Sequence, residues 1–153
     1  MDAELGRRRG IQVGHSLNMI AELPHYTHDP DIPVALRAAA LDGFFVHLRL
    51  LIEFLITKPR TDRPPVISRW DYVTGFGLDN ALRDRLQAAS DFANVHVAHF
   101  NASRVPTAGS PVGHTPSRTS LVSYRQDVFM AMTALVRHLA AARVCTRLTL
   151  MDG

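Results

Sequence analysis

The chain has 153 residues, 46% of them hydrophobic and 20% charged, with a formal net charge of +3; these values predict a single globular domain over 1–153. The strongest apolar run, residues 44–56, contains three polar residues, and the basic N-terminus precedes no apolar stretch, which excludes a membrane span and a secretory signal. The single cysteine, Cys145, excludes an internal disulfide and favours a cytoplasmic location.

Two helices are predicted in the first part of the chain. The first covers about 11–23, after ten residues that we expect to be flexible, and Pro24 is expected to end it. The second begins with Asp31 as its N-cap and Pro33 in its first turn, and it runs to about Thr57. Because this second helix is apolar on nearly all sides, we expect it to be the core helix, in contact with several neighbours or with a second subunit.

A long connection separates these helices from a third. Residues of about 58–78 combine arginine, proline and glycine, so we expect a loop that Trp70, Tyr72 and Phe76 hold against the bundle. The third helix is predicted from Asp79, its N-cap, to about Phe100.

A second loop and a fourth helix complete the chain. The density of Pro, Gly, Ser and Thr over about 101–118 is typical of an exposed loop. The last helix, about 117–148, has apolar residues at alternating spacings of three and four, which is the pattern of a bundle seam. Strand-type alternation is not evident anywhere. The predicted fold is therefore all-α, a four-helix up-and-down-like bundle with two long loops.

Eight histidines raise the possibility of a metal site. Two pairs, His25 with His28 and His96 with His99, have a spacing that can bring two imidazoles together. No His-x-x-x-His pattern accompanies them, and we expect no metal and no cofactor. A histidine-based metal bundle stays the least favoured alternative.

The segment "FANVHVAHFNASR", residues 92–104, contains the second histidine pair. On a helical wheel His96 lies at the edge of the apolar stripe, which favours a packed and hydrogen-bonded core histidine. His99 lies roughly 100° away from the stripe, where the core of a monomer does not need it. His99 is therefore the stronger functional candidate.

This segment, with "FFVHLRLLIEFL" and "SRWDY", resembles an uncharacterised group of small bacterial helical proteins over about 40–104. "NVHVAHF" also resembles the polar-x4-6-His core of HEPN-domain proteins. In HEPN ribonucleases an arginine and a histidine from two subunits line one composite groove, where RNA is cut. The resemblance implies a homodimer through the second and third helices, with RNA or a partner protein as the bound molecule.

The HEPN-like motif assigns candidate catalytic residues. His99 corresponds to the motif histidine, which works as acid or base, and Asn94 to the polar residue beside the motif arginine. Residues 92–94 are Phe, Ala and Asn, so the arginine itself is absent, and Arg104 or Arg49 would have to replace it in stabilising charge. We therefore expect a binding or regulatory role more than ribonuclease activity.

Four residues are candidates for a binding role: His47, Arg49, His96 and Trp70. The alternative for the first two is purely structural. His47 would then be a buried group bonded to a backbone carbonyl, and Arg49 would form a salt bridge with Glu53, four residues later.

Charge is uneven along the chain. Residues 92–153 carry six arginines against two aspartates, a net of +4, which can attract an anionic partner such as nucleic acid or can simply be a mildly basic surface. A second hypothesis, from a different functional class, is a helical interaction module whose groove holds a peptide or a small apolar ligand.

Overall fold

The structure is a computed structural model that describes residues 3–58, 68–69, 73, 75–98 and 116–149. These residues form four helices and no strand, so the all-α prediction is confirmed. The helices are α1 (Ala3–Thr27), α2 (Val34–Ile56), α3 (Asn80–Ala98) and α4 (Arg118–Thr149). Within this described part, α2 packs against all three other helices, while α1 and α3 do not touch. As expected, α2 is the central helix.

Helix α1 differs from the sequence prediction at both ends. It begins at Ala3, so that residues expected to be flexible are helical, and it continues through Pro24 to Thr27. Proline inside a helix removes one backbone hydrogen bond. Here Pro24 is buried, and the hydroxyl of Thr27 donates to the carbonyl of Pro24 over 3.0 Å. Burial and this hydrogen bond offset the loss in the last turn, so the helix does not end at the proline.

The predicted N-caps were right for one helix and wrong for another. The Oδ1 atom of Asp79 accepts a hydrogen bond from the backbone N–H of Ala81 at 2.7 Å, the geometry of an N-cap at the start of α3. At α2, Pro33 occupies the N-cap position and gives no side-chain hydrogen bond. Asp31 lies two residues too early, and its own N–H donates to Asp29.

The core is built around α2. Its fully buried side chains include Phe44, Phe45 and Leu48, which contact apolar residues from the other helices. Gly43 permits α1 and α2 to approach closely, because a Cβ atom at this position would lie 3.1 Å from Cδ1 of Leu23. None of the described helices combines the length and the unbroken apolar character that a bilayer crossing requires.

The described parts of the 58–78 connection are anchored to the bundle. The guanidinium of Arg69 donates to the carbonyl of Phe76 and lies 5.0 Å from the centre of its ring. Phe76 is buried and contacts His138 of α4, with ring centres 5.5 Å apart. Gly75 has a φ of +77°, a left-handed backbone conformation that glycine adopts without strain. Phe76 therefore holds this connection as predicted, whereas Trp70 and Tyr72 lie outside the described residues.

Candidate functional site

His96 lies in a cluster of aromatic rings between three helices. Its ring centre is 4.8 Å from that of Phe45 on α2 and 5.3 Å from that of Phe92, one turn earlier on α3. Phe92 in turn approaches Tyr124 of α4 at 5.9 Å. The imidazole is half-buried. Stacking of this kind fixes a side chain and contributes to stability, so His96 contributes to packing whatever else it binds.

His47 faces α1 across the interface with α2. Its Nδ1 atom forms a hydrogen bond with the hydroxyl of Ser16 at 3.1 Å, and its ring meets that of His15 edge to face, with centres 5.2 Å apart. The hydrogen-bond partner of His47 is therefore a side chain 31 residues away, and not the backbone carbonyl that was expected. Burial, and to a lesser degree the neighbouring His15, lower the pKa of His47 below its ordinary value. The neutral imidazole is favoured here.

Arg49 forms the salt bridge that its spacing predicts. Its Nε atom lies 2.9 Å from Oε1 of Glu53 on the same face of α2. Both side chains are partly exposed, so the pair has little effect on stability. The guanidinium is held along the helix by its own carboxylate, and any anionic ligand would compete with Glu53 for it.

Of the candidate catalytic residues, the structure describes Asn94 alone. Asn94 is half-buried on α3, while His99 and Arg104 lie outside the described residues, as does Trp70. Among the residues that the structure places, no group of three or more histidine, cysteine, aspartate or glutamate side chains could hold a metal ion. Of the pair His25 and His28, the second hydrogen-bonds to the hydroxyl of Thr27 at 2.7 Å.

The outer face of α2 is apolar, a feature that the sequence analysis did not single out. We define this outer face by four exposed residues: Leu36, Ala39, Val46 and Leu50. With Gly43 between them, they are spaced alternately by three and four residues, as in a helix that packs against another helix. Two clefts along α1 adjoin it, one of about 450 Å³ at Leu36 and one of about 350 Å³ at Leu50. The spacing alone could have indicated this second stripe.

Helix α4 also has an apolar side that the described part of the chain leaves exposed. Phe129, Met130 and Val136 are exposed large hydrophobic residues on this side. A groove of about 780 Å³ runs here, and Ala21 of α1 forms part of its wall. Clusters of exposed apolar side chains on a soluble bundle typically mark interaction surfaces.

Comparison with known proteins gives no relative. No family model, curated protein or solved structure matches the chain. The resemblance to HEPN proteins therefore stays a prediction, and the function must be inferred from the surfaces themselves.

Three of the polar candidates have partners within the chain. These are Ser16 for His47, Glu53 for Arg49, and aromatic rings for His96. The large hydrophobic residues exposed on α2 and α4 are a different kind of feature, which can bind a partner through apolar contact.

Proposed function

We propose that this protein is a helical interaction module that forms a homodimer through the outer face of α2 and has a binding or regulatory role. The observation that carries the proposal is the outer face itself. Leucine and valine at these positions are not needed for the monomer's core, yet they extend over four helical turns, about 21 Å at 1.5 Å per residue. A helix that is apolar on both its inner and its outer side is typical of a buried position.

The spacing along this face favours a second copy as its partner. Leu36 and Leu50 each lie seven residues from Gly43, and Ala39 and Val46 lie four and three residues from it. A two-fold axis at the level of Gly43, on the side of α2 that Leu23 of α1 leaves open, would therefore place leucine opposite leucine and alanine opposite valine. Isologous interfaces need such self-complementary patches. This pairing is antiparallel and involves α2 alone, whereas the HEPN-like resemblance implies a homodimer through both α2 and α3.

Light scattering on the purified chain tests this proposal. We expect wild-type protein to have about twice the chain mass of 17.0 kDa at micromolar concentration. Leu50→Glu should give a folded monomer, because the new carboxylate would be desolvated in the interface. Val95→Glu is the matched control, since Val95 is 47% exposed on α3 and Leu50 is 49% exposed on α2. A monomeric wild type, or dimers for both variants, would contradict the proposal.

An RNA-directed role is the second candidate, favoured by the net +4 charge of residues 92–153. The affinity of the protein for RNA should fall steeply as the salt concentration rises, because phosphate contacts release counterions. Any cleavage should depend on pH through His99 and fail in His99→Ala. Salt-independent or absent RNA binding would leave only the interaction module. The cytoplasmic location, which rests on the cysteine content, also stays a proposal.

A further inference from the structure

Helix α4 has a second line of residues, opposite the seam that enters the core. Leu121, Val128 and Leu135 are buried on the inner side. The outer line is spaced alternately by four and three residues and spans about 27 Å at 1.5 Å per residue. Its members are Val122, Gln126, Phe129, Thr133, Val136 and Ala140. Except for the half-buried Val122, all are exposed. This spacing is that of a helix with a helical partner, and among the described residues only α1, through Ala21, borders this side.

The groove along this line is basic. Arg125 and Arg137 both line it, one turn on either side of Phe129 and Thr133, and its lining residues include no carboxylate. Arg125 is fixed in place, since its Nη1 atom donates to the carbonyl of Ala21 at 3.1 Å. The aspartate nearest on α4, Asp127, faces away and forms an ion pair with Arg85 of α3 at 3.0 Å. An apolar floor between two guanidinium groups results.

We infer that this groove binds an amphipathic helix of a partner protein, with acidic residues beside its apolar stripe. The apolar line requires hydrophobic residues at helical spacing, and the arginines require carboxylates at its edges. A second copy of the chain fits poorly, because a two-fold pairing through this face would bring arginine against arginine. The segment 99–115 fits poorly as well, because its sequence contains no acidic residue.

This site is separate from the dimer face. The outer face of α2 lies on a different helix from the groove of α4, so each can be disrupted while the other is intact. The groove would give the proposed interaction module its ligand: a dimer would present two basic grooves, one for each copy. The inference depends on the interaction role, although it does not require the dimer.

A synthetic peptide tests the inference directly. The probe is a fluorescein-labelled helix of about three heptads, long enough for the 27 Å line, with leucine at its apolar positions and glutamate at the flanking ones. The matched peptide has lysine at every glutamate position. We expect fluorescence anisotropy to show saturable binding of the acidic peptide, at least about tenfold tighter than that of the basic one. Its affinity should fall as salt screens the arginines.

Charge reversal in the protein provides the decisive comparison. Arg137→Glu should weaken binding of the acidic peptide by about tenfold or more and strengthen binding of the basic peptide. Arg83→Glu, on the exposed side of α3, should change neither affinity. Absent binding, equal affinity for both peptides, or an unaltered preference in Arg137→Glu would overturn the inference. Light scattering on the same samples separates the two proposals. A dimer that binds neither peptide would refute only the proposed groove, and a monomer that binds the acidic peptide would refute only the proposed dimer.

Discussion

Two leucines on α2, two residues apart, provide the sharpest test of the fold. Leu48 is fully buried, whereas Leu50 is 49% exposed. Replacing Leu48 with alanine removes three buried carbons, at about 0.8 kcal/mol each, and leaves a cavity among aromatic neighbours. We expect the free energy of unfolding to fall by about 3–4 kcal/mol. In Leu50→Ala the same atoms are removed from a half-exposed site, so the loss for the monomer should be about 1 kcal/mol.

Urea denaturation of both variants and wild type measures these losses. The helix and the chemical change are the same, so helix propensity cancels between the two variants and burial alone separates them. Equal losses, or a loss under about 1.5 kcal/mol for Leu48→Ala, would refute the placement of α2 at the centre. The comparison should be made at low protein concentration. At high concentration a dimer adds stability to wild type, and the cost of Leu50→Ala should rise accordingly.

Three further predictions concern individual side chains. Burial lowers the pKa of His47 below its ordinary value of 6.5 in the folded state, so the unfolded chain binds more protons. The free energy of unfolding should therefore decrease as the pH falls below about 6.5, and this decrease should be shallower in His47→Gln. Equal pH profiles for the two proteins would refute this. His96→Ala should destabilise the protein by about 1–3 kcal/mol through lost ring contacts, far more than the exposed control Val95→Ala, and thermal unfolding should show the difference. Asp79→Ala should cost about 1 kcal/mol as a lost N-cap, while Asp84→Ala, inside α3, should cost much less in the same assay.

The sequence predicted local features well. Apolar spacing located all four helices, the position of Asp79 identified an N-cap, and a spacing of four identified the bridge between Arg49 and Glu53. Each of these depends on residues close together in the chain. Two local predictions were wrong: Asp31 does not cap α2, and Pro24 does not end α1, because burial, a tertiary effect, helps to keep it within the helix.

Contacts between residues far apart in the chain could not be predicted from the sequence pattern. Nothing near His47 indicates Ser16, 31 residues away, as its hydrogen-bond partner. Apolar residues on α2 were attributed to neighbouring helices or to a second subunit without a choice between them, because a helical wheel shows which residues share a face but not which faces other helices cover. Only the packed structure separates the buried Leu48 from the exposed Leu50. The candidate site residues were selected for their polarity, whereas the large side chains exposed on α2 and α4 are apolar.

The most direct test of the proposed dimer is a disulfide cross-link across its two-fold axis. In a Cys145→Ser background, one tagged chain carries Ala39→Cys and an untagged chain carries Val46→Cys. The two-fold pairing near Gly43 places these positions opposite each other, within the reach of a disulfide bond. We predict that oxidation of the mixture links the tagged chain to the untagged one, and that a Val95→Cys partner on α3 gives no link. A dimer by light scattering that never forms the mixed link, or that links equally well through position 95, would contradict the account.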